Sequence, residues 1–190
     1  MRKYLLHVLI ISFVFLLAPT AQVTTYAGAI EDAKEDVRKY PDDAAAHYNL
    51  GNAYYKSGKY KKAIESYKQA IRINPDDADA HYNLGCAYYD SGKYKKAIKS
   101  CKQAIRINPD YANAHFFLGN AYGELGKWKE VIESFKQAIR IDPDDADAHY
   151  NLGIAYLGLN DRGSAMEQYK ILKKLDTEKA NDLFNEIYRE

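Results

Sequence analysis

What this chain lacks narrows the field before anything in it is named. It has only two cysteines, Cys86 and Cys101, and no C-x-x-C pair. No H-E-x-x-H occurs, and no glycine-rich phosphate loop: Gly126-Lys127 lacks the earlier glycine, whose place Ala121 holds. Every histidine after the N-terminal segment falls in one repeated frame, so none is left over to serve a Ser or Cys nucleophile. The chain therefore reads as no enzyme, with no cofactor, no metal site and no small-molecule substrate. An excess of one charge is missing too: 27 Lys+Arg stand against 26 Asp+Glu. Without a global field, nucleic acid is not an expected partner. Proline is scarce, there is one Trp, and no Val/Ile/Thr alternation after residue 25 suggests strands. Abundant Ala, Lys, Gln, Glu and Leu favour helices instead. With 47% hydrophobic and 28% charged residues, the chain is expected to fold.

The N-terminus reads as an export signal. Arg2 and Lys3 supply a short positive region, and Tyr4 to Leu17 an apolar run broken only by His7 and Ser12. Small residues follow, with Ala27-Gly28-Ala29 as an A-x-A-like cleavage site and Thr25-Tyr26-Ala27 as an alternative. Residues 1–29 are assigned to this signal. The competing reading is an uncleaved membrane anchor over residues 4–21, whose 18 residues are near the minimum for a bilayer span. No cysteine follows the apolar run to carry a lipid. Either way the body of the protein is expected outside the cytoplasm: periplasmic, extracellular, or anchored and facing outward. Losing Arg2 and Lys3 leaves 25 basic against 26 acidic residues.

Behind that segment the chain repeats itself every 34 residues. Residues 44–77 and 78–111 agree at 28 of 34 positions, and 112–145 and 146–177 continue in register. His47, His81, His115 and His149 form one column. Leu50-Gly51, Leu84-Gly85, Leu118-Gly119 and Leu152-Gly153 form another, and Tyr54, Tyr88, Tyr122 and Tyr156 a third. Ala63, Ala97, Val131 and Ala165 stay small, and Pro75, Pro109 and Pro143 close the first three units.

Each unit predicts two helices. Asp77 can cap the one beginning near Ala78, with Asp79 at its positive dipole end. Gly58, Gly92 and Gly126 fall where it must stop, in left-handed backbone. The second helix is expected over Tyr60–Ile73, with Ala63, Ile64, Tyr67, Ala70 and Ile71 at helical spacing, and Asn74-Pro75 ends it. One such pair cannot bury its own apolar faces, so the copies must stack. A helix over 178–190, with Ala180, Leu183, Phe184 and Ile187 on one face, would cover one end. A shorter acidic helix near Ile30 to Tyr40, within a flanking segment 30–43, would cover the other.

The order His-x2-Leu-Gly-x2-Tyr, then Ala-x3-Tyr, then Ala and Pro, resembles the tetratricopeptide repeat (TPR), with His where that family often has Trp. The resemblance covers residues 44–177, with 178–190 in the place of the usual cap. It implies an all-α fold, a right-handed α-solenoid of antiparallel helix pairs. The fourth copy departs most: Asn160 replaces the turn glycine, Arg162 the aromatic of Tyr60, Tyr94 and Trp128, and Thr177 the proline.

The resemblance also implies that the first helix of each pair lines a concave groove for extended peptides or helices. Carried over, the groove positions are Tyr48, Asn52 and Tyr55 in the first copy and Tyr82, Cys86 and Tyr89 in the second. Phe116 and Asn120 follow in the third, then Tyr150, Ile154 and Leu157 in the fourth, with Asn49, Asn83 and Asn151 beside them. Rings offer rigid contact area and amides bond a backbone, which suits peptide recognition. One variant of the family clamps a C-terminal carboxylate with Lys, Arg and Asn. Its Asn positions match Asn52 and Asn83, but Tyr48, Asn113 and Phe117 stand where its cations belong, so this ligand is not expected.

Lysines gather at the turn within each pair (Lys59, Lys61, Lys62, Lys93, Lys95, Lys96, Lys127 and Lys129), and aspartates at the opposite edge. The lysines read as a solvated face copied by duplication, or else as a docking edge for an acidic partner. The histidine column reads as satisfied side chains at the core edge, since no Cys or carboxylate joins it at zinc-like spacing. An oxidising compartment would let Cys86 and Cys101 pair. Against a bridge, Cys86 takes a groove position and Cys101 the seam position of Tyr67, Phe135 and Tyr169, facing different ways. The leading function is a non-catalytic adaptor that holds a protein or peptide segment in the groove. Two alternatives stay open: a homo-oligomer stacked through end faces, and an accessory subunit of an envelope enzyme.

Overall fold

The computed structural model describes residues 20–189, and among them it holds ten α-helices and no strand. Arg2, Lys3 and the apolar run to Leu17 lie outside the described residues. Helix α1 (Thr20–Lys39) leads into four pairs: α2 (Ala44–Lys56) with α3 (Tyr60–Ile73), α4 (Ala78–Asp90) with α5 (Tyr94–Ile107), α6 (Ala112–Gly123) with α7 (Trp128–Ile141), and α8 (Ala146–Gly158) with α9 (Arg162–Leu175). Helix α10 (Thr177–Ile187) closes the stack against α9 and α8.

The helix ends follow from local chemistry. Asp43, Asp77 and Asp145 accept hydrogen bonds from the N–H groups of Ala45 (2.9 Å), Ala80 (3.0 Å) and Ala148 (3.0 Å). These are donors no helix can satisfy internally. Tyr111 holds the same place before α6 without a side-chain cap. Gly58, Gly92 and Gly126 take φ of 73°, 72° and 67°, and Asn160 takes 60°, so the fourth turn keeps the left-handed geometry without glycine. Helix α1 differs from expectation: it begins by Thr20, well ahead of Ile30, and runs through Ala27-Gly28-Ala29. No proline interrupts it, and a lone Gly28 costs a helix only about 1 kcal/mol. Its Ile30, Ala33 and Val37 pack on the first pair. Among the described residues no helix is long and apolar enough to cross a membrane.

Within the first three pairs the glycine column permits close approach. A methyl group on Gly51 would lie 2.5 Å from Tyr67 Cε1, and one on Gly119 3.0 Å from Phe135 Cζ. Between pairs, α3 packs on α4, α5 on α6 and α7 on α8, so every pair covers the next. The buried leucines Leu50, Leu84, Leu118 and Leu152 run through this seam, each adding roughly 1.5–3 kcal/mol.

The histidine column has a structural task. Nε2 of His47, His81, His115 and His149 donates to the carbonyl of Pro41, Pro75, Pro109 and Pro143, at 2.8, 3.0, 3.0 and 3.0 Å. Each first helix is thereby tied to the loop before it. The lysines are partly explained as well. Tyr88 lies between Lys68 and Lys96 (6.0 and 5.7 Å to the ring centroid), and Tyr122 between Lys102 and Lys127 (5.6 and 5.8 Å). Lys59, Lys61, Lys93, Lys95 and Lys129 make no ion pair among the described residues.

Candidate protein-binding groove

The helices α2, α4, α6 and α8 carry the proposed groove residues on one face. Tyr48, Asn52, Tyr55, Tyr82, Tyr89, Phe116 and Asn120 are all half-buried, each with a side open to solvent. Their rings meet across copies. Tyr82 stands edge-on to Phe117 at 5.5 Å, Tyr89 contacts Phe117 at 6.1 Å, and Phe116 contacts Phe117 at 6.1 Å and Phe135 at 5.4 Å. Phe117 is thus the hub of the aromatic floor. Sequence reasoning saw it only as a missing cation; the available signal was a Phe in a column otherwise held by Asn49, Asn83 and Asn151.

Much of the polar capacity here is already used between helices. Tyr67 donates to Asn52 Oδ1 (2.7 Å) and Asn83 Nδ2 donates to the Tyr48 hydroxyl (2.7 Å). The two amides that match the carboxylate-clamping variant are therefore occupied. Tyr55 donates to Asp90 Oδ2 (2.6 Å), Tyr89 to Glu124 Oε1 (3.1 Å), and Tyr111 to Asp79. Burial, reinforced by these carboxylates, pushes the Tyr55, Tyr89 and Tyr111 hydroxyls well above the ordinary phenol range, so they remain donors. Asn120 and Asn151 have no such partner among the described residues. The reason at Asn120 is simple: Phe135 replaces the hydroxyl-bearing Tyr67 of the first copy. The donor and acceptor of these two half-buried amides are not engaged by another side chain among the described residues.

One of the groove positions differs in burial from the rest. Cys86 is buried, only 4% exposed, and its thiol is pushed up to about 12 by that burial, so it does not line an open surface. Cys101 is buried as well, and the Tyr82 hydroxyl is raised by burial first and then by Cys86 beside it. Both cysteines are free. In the fourth copy, Tyr150, Ile154 and Leu157 pack against the apolar cluster of α9 and α10. A methyl on Gly153 would meet Leu183 of α10 at 2.5 Å, showing how closely that helix seats.

Comparisons with known proteins place this architecture. A family profile described as "TPR repeat" matches residues 51–92, 85–126 and 119–160, and one described as "Tetratricopeptide repeat" matches 146–178. No curated protein matches the chain. Among solved structures, the crystal structure of MamA is 29% identical with a TM-score of 0.75, covering 86% of this chain and 91% of that one. YrrB, titled "a TPR protein with an unusual peptide-binding site", is 26% identical with a TM-score of 0.68, over 85% of this chain and 79% of that one. The first TPR of Spaghetti (RPAP3) bound to the HSP90 peptide SRMEEVD is 26% identical with a TM-score of 0.61, over 62% of this chain and 94% of that one. With the profiles spanning all four copies, and solved repeats superposing over most of its length, the chain belongs to the tetratricopeptide repeat family.

Proposed function

We propose that this chain is a non-catalytic adaptor that holds a segment of another protein along the trough of α2, α4 and α6, outside the cytoplasm. The observation that carries the reading is the trough's surface: an open floor of Tyr82, Tyr89, Phe116 and Phe117 beside the unpartnered amide of Asn120. Flat rings bind at low entropic cost, and an amide with free donor and acceptor bonds a peptide backbone. Two of the similar structures are titled for a peptide-binding site or a bound peptide, which fits the same use of the fold.

A photo-crosslinking residue at Phe116 tests it, with the same residue at Gln69, exposed on α3, as the control. Adducts to a discrete protein from Phe116 alone are the expected result. No adduct from Phe116, or equal adducts from both sites, overturns the reading. Export rests on Arg2, Lys3 and the apolar run to Leu17. Fractionation of the native cells checks it, and recovery of the chain only in the cytoplasm would sink it.

A further inference from the structure

Resting on that groove reading, we propose that the segment the trough takes is cationic. It is an extended stretch of a partner protein bearing arginine or lysine, whose charged ends meet Asp79, Asp90 and Glu124 while their stems lie on the rings of Tyr82, Tyr89 and Phe117. The trough's charge is one-sided. Asp79, Asp90 and Glu124 are exposed, and none forms an ion pair among the described residues. Each is held by one tyrosine hydroxyl: Asp90 by Tyr55 at 2.6 Å and Glu124 by Tyr89 at 3.1 Å, both from the preceding copy, and Asp79 by Tyr111 at the end of its own copy. A neutral phenol orients a carboxylate without cancelling its charge, and the second oxygen stays free to accept.

The surroundings agree. The hydroxyls of Tyr55, Tyr89 and Tyr111 each donate to a carboxylate, and Asp77 and Asp79 act on Tyr48. In the column of Asp90 and Glu124 the first copy alone carries a base, Lys56. Lys62 of α3, Lys96 of α5 and Lys127 just before α7 turn instead to Tyr54, Tyr88 and Tyr122, which are seam rings rather than groove rings. A guanidinium or ammonium finds two matched surfaces here, a ring face and a carboxylate. An acidic segment finds like charge. That separates this trough from the one bound to SRMEEVD, a peptide with three acidic residues and one arginine.

Panning a phage-displayed random dodecapeptide library on the full chain tests the idea. The panning is repeated on three variants: Asp90→Asn with Glu124→Gln, Phe116→Ala with Asn120→Ala, and the control Glu65→Gln with Glu133→Gln on the outer helices. Asn and Gln still accept the Tyr55 and Tyr89 hydroxyls, so the first variant keeps its fold, which unchanged thermal melting verifies. The expected result is enrichment of Arg- and Lys-bearing peptides whose binding weakens with salt. It falls about tenfold in the Asp90/Glu124 variant and is unchanged in the control. Neutral or acidic peptides that still depend on Phe116 and Asn120 would overturn the cationic assignment and leave the groove reading standing. Peptides indifferent to every groove residue would overturn both. A groove-dependent dimer that excludes peptides would assign the trough to a second copy and refute the proposal.

Discussion

Gly51 and Gly85 hold the same place in successive copies, yet a methyl group added to each would meet different neighbours. At Gly51 the new carbon lies 2.5 and 2.6 Å from Tyr67 Cε1 and Cδ1. That ring is fully buried and its hydroxyl is tied to Asn52 at 2.7 Å, so it cannot withdraw without losing the bond. At Gly85 the carbon meets only Cys101 Sγ closely, at 2.8 Å, with nothing else nearer than 3.5 Å. A single sulfur on a short side chain can turn aside. Both substitutions gain about 1 kcal/mol from alanine's better helix propensity. Forced overpacking costs about 1–3 kcal/mol, and a lost hydrogen bond about 1 kcal/mol more. Gly51→Ala should therefore lose about 1–3 kcal/mol net, while Gly85→Ala stays within about 1 kcal/mol of the parent. A gap of about 2 kcal/mol corresponds to roughly 4–8 °C in melting temperature for a chain of this size. Repeat arrays open locally, so urea unfolding should be paired with amide exchange in α2–α3 and α4–α5. Equal losses at the two glycines, or a neutral Gly51→Ala, would refute the packing argument.

Further outcomes follow from the same contacts. Cys86→Asn and Cys101→Tyr together recreate the Tyr67–Asn52 bond, so a double-mutant cycle should show a favourable coupling of about 1 kcal/mol; additive energies would contradict it. Gly92→Ala meets nothing within 4 Å and should cost about 1–2 kcal/mol through its left-handed backbone alone, read by urea unfolding. Folding raises the hydroxyl groups of Tyr55, Tyr67, Tyr82, Tyr89 and Tyr111, chiefly by burial. The stability tied to their protons is complete below about pH 10, the unfolded value, and drains away as pH climbs toward the folded values. Melting temperatures that stay flat from about pH 9 to about pH 12 would contradict that. Burial pushes both thiols up to about 12, so a thiol reagent near neutral pH should label neither until urea is added; rapid native labelling would show the sites are open.

Local signals made much of the molecule readable. Asp77 before α4, the glycines at 58, 92 and 126, and Asn74-Pro75 after α3 each act on the backbone beside them, so the limits of α3 and the turn geometry could be read directly. The start of α1 could not, because the residues ahead of Ile30 carry neither a strong cap nor a breaker within the helix. Phe117 and Cys86 were misjudged for a related reason. Register placed Cys86 beside Asn52 and Asn120 but said nothing of how deeply its neighbours would bury it.

The period, the helix pairs, the stacking and the family were determined by the sequence alone, since each depends on spacing along one helix or on a pattern copied intact. Which groove groups remain free was decided only by tertiary structure. Whether Asn52 is spent and Asn120 is not depends on a side chain of the second helix, a hydroxyl at Tyr67 and none at Phe135. Whether the fourth copy is open depends on where α10 comes to rest. Hydrogen bonds and burial are settled by contacts between residues far apart in the chain, and a one-dimensional pattern carries no record of those distances.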